Sequence, residues 1–357
     1  MFKFKPDYEA AMKRVNLFWE REETDRPLVS IVFRKPCASD FPHKKHASWE
    51  DYWLDLDYRV EEMVRTAENH VYYAEAMPVL WPNLGPEIFS AWAGCPYEFG
   101  ANTTWTKPCI FDWAADSEKA VAAETHSLFK KVERFTEMLL ERGKGNFIVG
   151  LTDFHPGGDH VAALRDPEVF ATDLLEYPGE IKSKLKTSYD EYFPMYDHFV
   201  NMIKECGMPV ASWLPLPSDT SMYIPSNDFS CMIGKEMFDE FFLDGLIDEC
   251  RHYKKSIYHL DGPDALRHLD SILGIEELNA VQWVPGAGRD EPLRWMDVYK
   301  KILSSGKGLN IGNVSPSDLD ALMRELPAKG LWLGMTGIND EEAAKEVMKK
   351  ISEWPAR

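Results

Sequence analysis

The sequence predicts an α/β protein of the (β/α)8 barrel class, a TIM barrel with an N-terminal helical extension. Three observations predict it. Eight short apolar runs, at 28–33, 72–77, 146–151, 208–213, 256–260, 279–284, 308–312 and 330–335, read as strands. Most are separated by stretches with helical spacing, the alternation that builds parallel sheets. No linker, repeat or low-complexity segment divides the 357 residues, so one domain over 1–357 is expected. A doubly wound open sheet is the alternative. No G-x-G-x-x-G follows any run, which counts against it.

Residues 7–22 have helical periodicity, and Asp25-Arg-Pro27 ends it, so 1–26 is read as a helical segment ahead of the first strand. Leu28-Val-Ser-Ile-Val-Phe33 is apolar and β-branched, a strand by propensity. A polar loop over 34–49 precedes a helix from about 49 to 69, and 72–77 reads as the second strand. Residues 78–115 are rich in Gly, Pro and Trp without a clear period, and are expected to form a lid-like excursion over the site. The next helix spans 117–142 and stops at Gly143 and Gly145. Strand 146–151 runs into Thr152-Asp-Phe-His-Pro-Gly-Gly-Asp159. Helical patterns over 160–207 are punctuated by Pro178 and Pro194. Strand 208–213 leads into a Pro/Ser-rich loop, and 235–253 is a helix with Met237, Phe238, Phe241, Phe242, Leu246 and Ile247 on its apolar face. Helical spacing at 265–273, 296–304, 315–324 (capped by Ser315) and 340–353 alternates with the last strands.

The net charge is −19, from 40 Lys+Arg against 59 Asp+Glu, with no compensating basic run. That argues against nucleic acid or an anionic membrane as partner. No apolar run approaches the ~20 residues that span a bilayer, and no secretory leader follows Met1. The six cysteines form no C-x-x-C pair. A cytoplasmic protein with reduced thiols is expected.

Side chains at the carboxyl ends of parallel strands meet at one mouth. The candidates there are Asp153, His155, Asp159, Trp213, Asp228, His259, Asp261, Gln282, Trp283, Asn313, Met335 and Thr336. His259 and Asp261 are two apart, so at a strand end they point the same way and could ligate a metal or share a proton. The plainer alternative is a strand-end histidine with Asp261 capping the helix near Pro263. Asp153 and His155 repeat the spacing and are read as proton-handling groups, against a simple turn into Pro156-Gly-Gly. Asp159 reads best as the N-cap of the next helix. Trp213 and Trp283 are read as walls of the site, although Trp283 could equally fill the barrel. Trp81, Asn83 and Glu87 share a loop that either touches substrate or merely caps itself, and Trp105 is placed in the lid. His43, His46, His70, His126 and His252 are read as surface or helix-face groups. No G-x-S-x-G or P-loop occurs. Paired carboxylates beside aromatic walls fit acid–base work, including glycoside chemistry, and a His–Asp pair fits metal-assisted chemistry.

Tyr258-His-Leu-Asp-Gly262 with its helix and the following Gln282-Trp283 strand resembles a segment of the uroporphyrinogen decarboxylase superfamily. That superfamily also holds corrinoid-dependent methyltransferases and lies close to cobalamin-independent methionine synthase. Residues 147–159 and 229–242 are similar as well. The resemblance covers most of the chain after residue 140 and implies a barrel with its site at the carboxyl mouth. Two departures shape what it implies. The arginine-rich N-terminal motif of the decarboxylases is reduced to Arg21, Arg26 and Arg34, without the pattern. The His-x-Cys of the zinc methyltransferases is His259-Leu-Asp261, and the last strand offers Gly334-Met335 in place of a later Cys. A thiolate zinc site is therefore not expected; a harder divalent metal, zinc through N and O ligands, or no metal at all remain open at His259 and Asp261. The expected function is methyl transfer from a small methylated donor to a corrinoid protein. Glycoside-type acid–base chemistry, decarboxylation and a non-catalytic ligand-binding barrel are the alternatives. The expected partners are a small polar molecule and a corrinoid protein, and a homodimer is compatible with such a barrel.

Overall fold

The computed structural model describes residues 2–289 and 291–355. The strands in chain order are β1 (Leu28–Arg34), β2 (His70–Ala74), β3 (Val79–Leu80), β4 (Tyr97–Phe99), β5 (Thr104–Thr106), β6 (Ile148–Val149), β7 (Met222–Tyr223), β8 (Lys255–Asp261), β9 (Ala280–Val284), β10 (Gly308–Val314) and β11 (Leu331–Met335). Seven form one sheet in the order β2-β1-β11-β10-β9-β8-β7. Every pairing in it is parallel except β1 with β2. β3 and β6 pair in parallel, and a parallel bridge joins Gly150 to Ala211.

The expected α/β alternation is present, but the described strands do not close the expected barrel. Two stretches interrupt the ring. The run at 72–77 is not a parallel barrel strand: β2 lies antiparallel on the edge of β1, and Ala74 takes a left-handed turn (φ 54°) out of it. The run at 208–213 makes only isolated bridges, with Val210 and Ser218 folding back on each other. Pro215 and Pro217 have no N–H to give a neighbouring strand, which limits the pairing there.

The N-terminal helix (Tyr8–Glu20) buries Ala11, Met12, Val15, Phe18 and Trp19. Trp19 offers its carbonyl to Lys255 Nζ (3.4 Å) at the start of β8, and Phe18 packs on Gly308 at the start of β10. The helix therefore covers the amino ends of these strands and leaves their carboxyl ends free. The Ser127–Gly143 helix shows why the covering helices form: Phe129, Val132, Phe135, Thr136, Leu139 and Leu140 recur at three- and four-residue spacing and are buried. Each such large apolar side chain contributes about 1.5–3 kcal/mol on burial.

Several helices differ from expectation, among them the one expected over 315–324 with Ser315 as its cap, which begins at Leu319 after Asp318. The one expected from 49 to 69 breaks at Asp55, whose carboxylate caps the second piece at Tyr58 N (3.2 Å). The 235–253 helix divides into Lys235–Phe241 and Leu243–Tyr253. The helix expected from 117 begins at Ser127, where His126 Nδ1 accepts from Leu128 N (3.2 Å). The stretch 78–115, expected as an excursion over the site, is ordered and partly in the core. It holds β3, a helix at Ile88–Trp92 and the β4–β5 hairpin, and it buries Leu84, Ile88, Phe89 and Trp92 in the core. No helix among the described residues is long and apolar enough to cross a membrane.

Candidate active site

A cavity of about 550 Å³ opens at the carboxyl end of the sheet. Asp153, His155, Asp159, Trp213, Asp228 and His259 line it, with Glu87, Phe89 and Ser90 from the 78–115 stretch forming one wall. Among the described residues no lysine or arginine lines it.

The chain around residue 150 delivers the first pair. Beyond the Gly150 bridge Phe154 is buried in the core while its neighbours Asp153 and His155 line the cavity. Tyr223 braces this turn, its hydroxyl donating to Thr152 O (2.5 Å) and accepting from Phe154 N (2.9 Å). His155 Nε2 lies 2.8 Å from Asp153 Oδ1. Burial alone would lower the His155 pKa. The Asp153 hydrogen bond and the charges of Asp153, Asp159 and Glu249 overcome it and hold the imidazolium up to about 9. His155 is thus cationic at neutral pH.

Asp159 is not the helix cap it was expected to be. The Gly157–Arg165 helix starts after Pro156, and Asp159 sits within its first turn with its carboxylate turned to the cavity. A Cβ on Gly158 would lie 2.4 Å from Asn227 Oδ1, so only glycine lets this helix approach the 226–229 loop so closely. Asp159 accepts from Phe229 N (2.8 Å) and Ser226 Oγ (3.3 Å). The same hydroxyl lies 3.3 Å from Asp228 Oδ1. One hydroxyl hydrogen serves only one carboxylate at a time. Burial, and then repulsion from Asp228, push Asp159 up to about 6, the range of a general acid or base near neutral pH. Partial desolvation raises Asp228 as well, although the residue stays open to solvent.

β8 delivers the second pair. His259 N donates to Pro225 O (2.9 Å), which registers β8 beside the 225–226 segment. His259 Nδ1 is 2.7 Å from Gln282 Oε1, its register partner on β9. With the amide oxygen facing the ring, Nδ1 carries the proton and Nε2 is left as a base or ligand. One ligand atom each from Asp228, His259 and Asp261 lie within 4.8 Å of one another. One nitrogen and two carboxylates suit zinc or a harder divalent cation. The Gln282 contact is the outer-sphere bond that ligating histidines usually make, and losing it typically costs 10–100-fold in metal affinity. If the triad holds zinc, Gln282→Leu is expected to weaken that binding roughly 10–100-fold by competition with a chelating dye; unchanged affinity would remove Gln282 from this role.

The remaining expected residues disperse. Trp213 lines the cavity and meets the His259 ring edge-on, centroids 5.4 Å apart. Gln282, expected to bind substrate, has its Oε1 on His259 Nδ1. Trp283, expected as a wall, is 2% exposed in the core and packs on Trp295. Its ring, Gln282 and Asn313 border a separate small cavity. Asn83 caps its own loop, Oδ1 accepting from Gly85 N (2.9 Å). Trp81 is half-buried and, like Trp105, is not among the lining residues of the main cavity. Trp105 is 44% exposed, bonded to Glu98 (2.9 Å), and borders a surface hollow with Trp49 and Tyr97. Glu87 accepts from Thr106 N and Oγ1 (2.5 and 2.8 Å), pinning the hairpin to the cavity wall.

Sequence reasoning missed a buried layer behind His155. Glu249 is 1% exposed and accepts from Tyr253 (2.9 Å) and Tyr189 (3.5 Å). Burial pushes its pKa up to about 8, against these bonds and the attraction of His155. Its place on the face of the Leu243–Tyr253 helix that also buries Leu246, Cys250 and Tyr253 was the signal available.

No family model matches the chain, and no curated protein matches it. Among solved structures, a methyltransferase from Methanosarcina mazei is similar, with a TM-score of 0.60, 13% identity and 99% of each chain covered. At that identity the likeness shows a fold common to the full length of both chains.

Proposed function

We propose that this chain is an enzyme that transfers a methyl group from a small polar methylated donor bound in the 550 Å³ cavity, with a corrinoid protein as acceptor. The observation that supports this reading most is the convergence of Asp261 with Asp228 and His259, of which the latter two line the cavity, with Gln282 taken up on His259 Nδ1 rather than Nε2. These three residues would hold a divalent cation, which when bound supplies Lewis-acid activation of the donor's heteroatom. Trp213 offers the donor a flat apolar wall. Asp159, whose carboxylate lines the cavity, is the group placed to give or take the heteroatom's proton. His155 offsets part of the negative charge that Asp153, Asp159 and Asp228 gather around the donor. The fold likeness to a methyltransferase agrees with this reading without carrying it.

Metal-free acid–base chemistry, including glycoside-type chemistry, is the second reading, favoured by the raised Asp159 beside Asp228. Decarboxylation needs a basic anchor for a carboxylate, and among the described residues the cavity lining offers no lysine or arginine.

The test is elemental analysis of the purified protein and of a His259→Ala, Asp261→Ala double variant, followed by incubation of each with methylamines, methanol or dimethyl sulfide and a reduced corrinoid protein. Stoichiometric metal present only in the parent, with the spectrum of the methylated corrinoid appearing only there, is the expected result. No metal in either protein and no methylated corrinoid would discard the reading in favour of the second. A purely binding role predicts that Asp159→Asn keeps the ligand's effect on thermal unfolding, with no product from either protein.

A further inference from the structure

Cys95 and Cys109 flank the β4–β5 hairpin, with their sulfurs 3.3 Å apart as free thiols. Both rest on the last turn of the Gly157–Arg165 helix. Cys109 N donates to Leu164 O (2.9 Å), and Cys95 Sγ lies 3.7 Å from Ala163 O. Cys95 is also tied to the end of the Ile88–Trp92 helix through Ser90 O (3.2 Å). The two sulfurs are therefore held face to face by backbone contacts on both sides, short of the ~2.05 Å of a disulfide bond.

The two thiols are not equivalent. Cys95 is 5% exposed, whereas Cys109 is only half-buried. The Cys95 S–H donated to Cys109 Sγ favours the Cys109 thiolate, and the buried Lys184 ammonium adds to it while burial opposes. Giving that hydrogen bond, together with burial, pushes the Cys95 thiol up. A half-buried thiol whose thiolate is favoured, beside a buried second one, is the arrangement of an attacking and a resolving cysteine.

The geometry points to Cys95 and Cys109 as a site of reversible disulfide formation, with a small-molecule disulfide as the oxidant. The Cys109 thiolate attacks one sulfur of the oxidant, whose S–S bond breaks; one thiol leaves with a proton from solvent. Cys95, losing its proton, then attacks the Cys109 sulfur of the mixed disulfide and expels the second thiol. Two cysteines are oxidised and one disulfide is reduced to two thiols. The new bond ties the two ends of the hairpin whose Thr106 holds Glu87 at the cavity wall. It thereby fastens the wall formed by Glu87, Phe89 and Ser90.

The experiment incubates the full chain with oxidised glutathione, blocks remaining thiols by alkylation, and maps peptides without reduction. The expected result is a peptide pair joining Cys95 to Cys109 that disappears on treatment with excess reductant. Cys95→Ser is expected to stop at Cys109 carrying glutathione, while Cys109→Ser leaves Cys95 free. The exposed Cys37, Cys206 and Cys231 report whether the oxidant acted. A parent map with those three derivatised and Cys95 and Cys109 free, or with either bonded to another cysteine, overturns the proposal without recourse to any variant.

Discussion

Asp153→Ala is expected to destabilise the protein by about 3 kcal/mol near pH 6, the scale of removing one partner from a buried ion pair. Asp153 and His155 are only 19% and 11% exposed in their side chains, and the 2.8 Å bond between them is the first influence that raises His155. With Asp153 gone, burial regains control and the His155 pKa drops from about 9 towards its ordinary 6.5. The sign of the pH dependence follows. The folded pKa lies above the unfolded one, so this stabilisation is fully present below about pH 6.5 and is lost as pH rises through about 9. The parent and Asp153→Ala should therefore differ most at pH 6 and converge by pH 9.5. Urea unfolding at both pH values, with NMR titration of the histidine ring protons, reads both effects. Asp153→Asn keeps an acceptor without the charge and separates the hydrogen bond from the Coulomb attraction. If His155 titrates unchanged in Asp153→Ala, the pairing has no such strength.

The second large effect concerns Glu249, where the linkage runs against the usual carboxylate. Its folded pKa, about 8, lies above the ordinary 4.5, so the folded state keeps a proton that the unfolded state releases. Stability is unaffected below about pH 4.5, falls as pH rises, and has lost the full amount above about pH 8. The gap corresponds to a penalty of about 5 kcal/mol, with the attraction of His155 already counted in it. Glu249→Gln keeps groups for Tyr189 and Tyr253 and removes the titration. The variant should match the parent near pH 5 and exceed it by a few kcal/mol at pH 8. Parallel stability curves for the two proteins across that range would show that Glu249 ionises freely and that the buried layer does not hold it neutral.

Both effects belong to side chains whose roles differ in legibility. Asp153 and His155, like His259 and Asp261, were legible because alternate residues at the end of an extended run must share a face, whatever the rest of the chain does. The helix–strand alternation was legible for the same reason: apolar spacing of two or of three to four residues is a local property. Asp159 was misread as a cap because an aspartate at a helix start is a good cap in isolation; the close approach allowed at Gly158 turned it to Ser226 instead. Gln282 and Trp283 are sequence neighbours on β9, yet one faces His259 and the other fills the core. The strand's alternation required them to face opposite sides, and only the packing determined which side held the site.

The sequence by itself determined the α/β class, the strand ends that carry His and Asp pairs, and the absence of a basic surface run, because these depend on residue order and nearest neighbours. The tertiary structure alone decided the rest. It left the ring of strands unclosed where β2 reverses and Val210 folds back on Ser218. It brought Asp228 to His259 and Asp261, set Asp159 against Asp228 through one hydroxyl, and buried Glu249 behind His155. Each of those outcomes rests on distances between residues far apart in the chain, and both the burial and the charge pairing that shift a pKa exist only once those segments have packed.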